Sequence, residues 1–154
     1  MISKENLQIK INKLTNKLRV GLFDEVIPET KKVLNKVKEP ILYNILSVAY
    51  QAKNEFDNSI KLLEDALKIS PKNIFFLNNM GLSYFKKNDL VKAEYYYKRA
   101  LEVNPNYINV LNNYANLKKE LEQFEEAKEY FKKAMAINDN SFEINYNLAT
   151  IYQG

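Results

Sequence analysis

The sequence predicts an all-α fold, a solenoid of stacked helix-turn-helix units, and three regularities predict it. Small residues recur every 34 positions: Ser47, Gly81, Ala115 and Ala149 form one series, and Ala66, Ala100 and Ala134 form another. The bulky residues Leu63, Tyr97 and Phe131 keep the same interval, as do Pro71 and Pro105. Between these markers, apolar residues fall three or four apart, which is the period of one helical face. A fixed repeat of this length marks a unit that cannot bury its apolar side alone and stacks on its neighbours. The default task of the extended surface so formed is to hold another molecule.

The elements follow in order. Residues 7–39 make the least regular unit: Gly21, Phe23 and Val33 stand roughly where later units place them, but the unit is one residue short. Pro28 falls inside its second helix, where it removes a hydrogen bond and is expected to kink the helix. Residues 40–73, 74–107 and 108–141 form three complete units, and 142–154 supplies the first helix of a further unit or a capping helix. The whole, 1–154, reads as one domain. In the unit 74–107, Leu77, Met80, Gly81 and Tyr84 mark one face of the first helix. Lys87-Asn88-Asp89 is a turn, because Asn tolerates the left-handed conformation that ends a helix and Asp caps the next. Leu90, Ala93, Tyr97 and Ala100 carry the second helix, which Pro105 stops. Asn54-Glu55 and Glu122-Gln123 repeat the turn in the flanking units. Gly81 and Ala93 are expected where the paired helices approach most closely, with Tyr84 and Tyr97 filling the space between.

Composition narrows function. The 154 residues are 46% hydrophobic and include neither cysteine nor histidine. That excludes disulfides, thiolate nucleophiles, Cys/His zinc sites and Ser-His-Asp arrangements. The three glycines are isolated, so no glycine-rich phosphate loop is present. Glu125 and Glu126 begin a helix, where they complement its dipole. The expectation is therefore no catalytic activity, no cofactor and no metal. Residues 1–40 carry nine Lys/Arg and five Asp/Glu, and the remainder fourteen of each. Nucleic-acid binders show a basic stripe along the contact surface; here the basic start reads as a solvated helix face, and no nucleic-acid partner is expected. No apolar stretch resembles a signal peptide or approaches the roughly 20 residues of a spanning helix. A soluble, cytoplasmic protein with no membrane partner is expected.

The stretch GLSYFKKNDLVKAEYYYKRALEVNP (81–105) resembles a tetratricopeptide repeat at nearly every small and aromatic position. The resemblance covers 40–154, and 7–39 more weakly. It implies a right-handed α-solenoid whose inner groove binds protein or peptide. Three positions depart from the family pattern. Lys118 replaces an aromatic of the first helix and is expected to bury its stem while its charge stays in water. Asn145 replaces a large apolar residue, and Asp139 replaces the closing proline.

Candidate binding residues come from the same period. Asn79, Asn113 and Asn147 are 34 apart, each directly before the large-small pair that faces its own second helix. One residue is about 100° of helical rotation, so these side chains are expected to point away from that packing. Asn44, Asn78 and Asn112 lie one residue earlier and widen the polar strip, while Ile45 interrupts the series. A carboxamide offers both donor and acceptor, so a row of them can follow a peptide backbone whatever its side chains. Phe75, Phe85 and Tyr146 are expected to add contacts. Asparagine also occurs at exposed places such as Asn54 and Asn140, so recurrence, not abundance, carries the argument. The strip resembles the peptide-binding asparagine ladder in the repeat domain of O-linked N-acetylglucosamine transferases, and LNNYANLKKELEQFEEAKEYFKKA (111–134) is similar to such repeats. Repeats of this style also precede bacterial sulfotransferase and methyltransferase domains, which implies a recruiting segment of a longer polypeptide. Carboxylate-clamp repeats need Lys/Arg on the inner face; Val48, Asn79 and Asn113 do not supply them, so C-terminal chaperone tails are not the expected ligand. The alternative is an assembly module: Ile144, Leu148 and Ile151 are expected to lack a covering helix and to support a homodimer.

Overall fold

A computed structural model describes residues 1–138 and 140–153; Asp139, expected to replace a closing proline, and Gly154 lie outside the described residues. These residues form nine helices and no strand: α1 (Lys4–Arg19), α2 (Phe23–Leu34), α3 (Pro40–Ala52), α4 (Phe56–Ile69), α5 (Ile74–Lys86), α6 (Leu90–Val103), α7 (Ile108–Glu120), α8 (Phe124–Ile137) and α9 (Phe142–Gln153). They fall into two compact units, one ending at Pro71 and the other beginning at Lys72. In the first unit α1 to α4 pack in sequence, and α1 also lies against α3. In the second, α5 to α9 do the same, with α5, α7 and α9 side by side. The all-α stacking of paired helices is the one the period predicts.

Local chemistry sets the boundaries. Gly21, Asn54, Asn88 and Glu122 all have positive φ, at 84°, 59°, 63° and 59°, and each closes the first helix of a pair. The left-handed residue frees the chain to reverse, and glycine or asparagine occupies it at least cost; Glu122 is the exception. Asp89 then caps α6 by accepting from the Lys92 backbone N–H at 3.2 Å. Asn73 caps α5 by accepting from Phe75 and Phe76, and Pro40 opens α3, where a missing N–H is harmless. α2 continues from Phe23 to Leu34 with Pro28 inside it.

The second unit's core joins Leu111, Ala115, Ala127, Phe131 and Ala134 to Ile144 and Ile151, with Leu148 packed against it. Here the sequence expectation is corrected: the Ile144-Leu148-Ile151 face of α9 is covered by α7 and α8 and is not open. A helix that follows a complete pair has that pair to lie on. The exposed side of α9 carries Phe142 and Tyr146 instead. Lys118 is a second correction. Its side chain is only 7% exposed, and its Nζ meets Glu94 Oε1 at 2.8 Å and Glu126 Oε2 at 3.0 Å. Its charge is neutralised inside the protein and not by water.

Candidate functional site

The side-by-side packing of α5, α7 and α9 brings the predicted carboxamides of the second unit together. Asn113 Nδ2 on α7 donates to Asn78 Oδ1 on α5 at 2.9 Å. Asn112 Nδ2, also on α7, donates to Glu143 Oε1 on α9 at 3.1 Å. The polar row is thus tied across three successive first helices. Asn78, Asn79 and Asn112 are more than nine-tenths buried, while Asn113 and Asn147 are half-buried. The row is less open than the sequence suggests, for a geometric reason. A residue one step from the core face of a first helix lands in the seam with the next first helix.

Glu143 fixes the orientation of the Asn112 amide, since only a donor can face a carboxylate. The Asn112 Oδ1 is consequently turned inward, buried, with no hydrogen-bond partner among the described residues. Such an acceptor costs about 1–3 kcal/mol. Phe75 is 49% exposed and meets Tyr107 edge to face at 5.9 Å. Tyr146 is 60% exposed and stacks on Phe142 at 6.3 Å. Phe85 is half-buried on α5. Asn44 is half-buried in the other unit, and the neighbouring Ile45 is buried.

Three polar neighbours of the row escape a reading based on period. Glu143 lies 31 residues after Asn112, off the repeat. Asn109 is exposed and Asn116 half-buried, and they flank Asn113 at helical spacing on α7, a signal that a 34-residue period does not carry.

α7 also bears the Lys118 cluster. The Tyr114 hydroxyl donates to Glu94 Oε1 at 3.0 Å, and Lys118 Nζ also reaches Gln123 Oε1 at 3.0 Å. The Lys118 bond holds the Glu94 carboxyl below the usual carboxylate range, against the opposing effect of burial. Burial disfavours the charge on Lys118, yet its bonds to Glu94 and Glu126 raise its pKa above that of an ordinary lysine. Burial first, and then Glu94, push Tyr114 up as well. Among the described residues no cluster of His, Cys, Asp or Glu could hold a metal, and no helix is long and apolar enough to cross a membrane.

Three models of the tetratricopeptide repeat match the chain, at residues 41–73, 74–107 and 96–129. Together they span 41–129, more than half of it. No match is found among curated proteins. Among solved structures, TTC0263, a thermophilic TPR protein of Thermus thermophilus, is similar at a TM-score of 0.88 and 20% identity, covering 98% of this chain and 85% of that one. The first TPR of Spaghetti (RPAP3), bound to the HSP90 peptide SRMEEVD, is similar at 0.70 and 21% identity, over 75% and 92%. The Sgt2 TPR domain of Aspergillus fumigatus is similar at 0.70 and 24% identity, over 76% and 79%. At these identities the likeness is one of fold.

Proposed function

The chain belongs to the tetratricopeptide repeat family, and from that premise we propose that it is a non-enzymatic scaffold whose second unit holds an extended peptide along the carboxamide row. The observation that carries this reading is the pair of bonds, Asn113 to Asn78 and Asn112 to Glu143, that ties the row across α5, α7 and α9. A row aligned in this way offers Asn113, Asn116 and Asn147 to a peptide backbone at intervals set by helix packing. Phe75 and Tyr146 supply exposed apolar surface beside it.

Magnitudes shape the proposal. A net hydrogen bond contributes about 1 kcal/mol, whereas micromolar affinity needs about 8 kcal/mol. The carboxamides set orientation, and the aromatics contribute most of the affinity. A modest affinity of this kind suits recruitment of a segment whose effective concentration is raised by linkage. Self-association through Ile144, Leu148 and Ile151 is not favoured, because α7 and α8 already cover them.

The test uses peptides selected against the protein from a random phage-displayed library. In calorimetry, Asn113→Ala combined with Asn147→Ala weakens binding by about 2 kcal/mol, while the thermal melt shifts only by the loss of the single Asn113–Asn78 bond. Undiminished affinity in the double variant, or failure of the library to yield any peptide, removes this reading.

A further inference from the structure

The first unit carries a second candidate surface, built from lysines that no carboxylate among the described residues neutralises. A cleft of about 180 Å³ lies between α1 and α2. Its apolar floor is Ile2, Leu14 and Val33, and Lys10 and Lys13 from α1 face Lys32 and Lys36 from the α2 side. A second cleft, of about 390 Å³, lies on the other side of α2, against α3 and α4. There Leu34 and Leu46 are lined by Lys31, Lys38 and Lys61. The end of α2 and the segment after it, with Lys31, Lys32, Lys36 and Lys38, thus form a basic ridge between two partly apolar clefts.

The carboxylates in the linings are engaged elsewhere. Glu29, in the first, bonds Lys17 at 2.8 Å; Asp65, in the second, bonds Lys68 at 3.0 Å. None of the seven lining lysines has a carboxylate within 4 Å among the described residues. Like charges gathered around apolar floors attract an anionic partner that also brings apolar groups.

We propose that this face of the first unit docks an acidic peptide segment bearing aliphatic side chains, its carboxylates on the lysines of α1, the end of α2 and the segment after it, and its aliphatic groups in the two clefts. Charge complementarity alone admits nucleic acid or an anionic membrane, but the floors favour peptide. Tyr43 and Tyr50, the aromatics of the second cleft, are more than nine-tenths buried and offer little ring surface on which a base can stack. The apolar residues lie at the bottom of clefts and do not protrude as membrane insertion requires. The surface shares no residue with the carboxamide row, so either assignment can fail without the other.

The experiment titrates the full chain into a fluorescein-labelled synthetic peptide that alternates glutamate with leucine and follows anisotropy. Saturable binding is expected that weakens with added salt. Replacing the leucines by serines, or introducing Lys32→Glu with Lys36→Glu, weakens it about tenfold. Lys31→Glu with Lys38→Glu does the same through the second cleft, and Asn113→Ala with Asn147→Ala leaves it unchanged. All four lysines are accessible, so the melts of these variants stay close to that of the parent. Absence of saturable binding, indifference to the leucines, survival of binding in both lysine variants, or tighter binding of polyuridine or phosphatidylserine vesicles than of the peptide overturns the proposal.

Discussion

At Gly81 a single hydrogen atom decides how closely two helices approach. A Cβ placed there would come within 2.6 Å of the Tyr97 ring, and Tyr97 is completely buried. The ring cannot retreat, because it fills the interior between α5 and α6 and packs beside Tyr114 at 6.3 Å. Gly81→Ala is therefore expected to destabilise the protein by about 2 kcal/mol through overpacking, measured by urea denaturation. Glycine to alanine inside a helix would otherwise stabilise by up to about 1 kcal/mol, so a stabilised variant would show that the clash is relieved. This contact is legible in the sequence, since small and large residues at matching positions of the period imply a close approach. The Asn112–Glu143 bond is not: it joins residues in different repeats at an offset that only the stacking of α7 on α9 creates.

At the scale of the element, the end of the first helix and the start of the second are coupled eight residues apart. Lys17 pairs with Glu25 at 2.8 Å, and Lys118 with Glu126 at 3.0 Å. Tyr84 occupies the equivalent place in α5, and Lys92 lies over its ring at 5.2 Å. The departure at Lys118 is thus compensated within its own helix pair, with Glu94 of the preceding pair completing the neutralisation. Sequence reasoning sends the lysine to water, because a spacing of eight spans a turn and belongs to no single helical face. Without Lys118, Glu94 keeps the Tyr114 hydroxyl at 3.0 Å and Lys98 at 3.4 Å, and the more exposed Glu126 turns to water. Lys118→Met is expected to cost about 1–2 kcal/mol by thermal or urea denaturation near neutral pH. The pH dependence has two limits. Glu94 titrates below its ordinary 4.5, so its contribution is present above about pH 4.5 and lost as pH falls through the lowered value. Lys118 titrates above its ordinary 10.5, so its contribution is whole below that pH and lost as pH rises through the raised value. The variant's stability should vary less than the parent's at both limits; an unchanged acid limb would show that Glu94 is stabilised by other groups.

At the scale of the molecule, the last helix closes a core as well as extending a series. α9 covers Leu111, Ala115, Phe131 and Ala134 with Ile144 and Ile151. A chain ending at Asn138 leaves these residues without cover. It is expected to melt at lower temperature than the parent and to associate with concentration in sedimentation more strongly than the parent. A truncated chain as stable and monomeric as its parent would show that α9 contributes little to the core.

What the sequence determined by itself was the all-α class, the phase of the helix pairs, the left-handed turn positions and the close approach at Gly81. Each depends on residues near in the chain or related by one fixed interval, which a period makes visible. The tertiary structure decided the burial of Asn78, Asn79 and Asn112, the neutralisation of Lys118, the covering of α9 and the gathering of lysines around α2. These depend on which side chains meet across a helix seam, and that is set by packing distance and direction, quantities to which a one-dimensional period is blind.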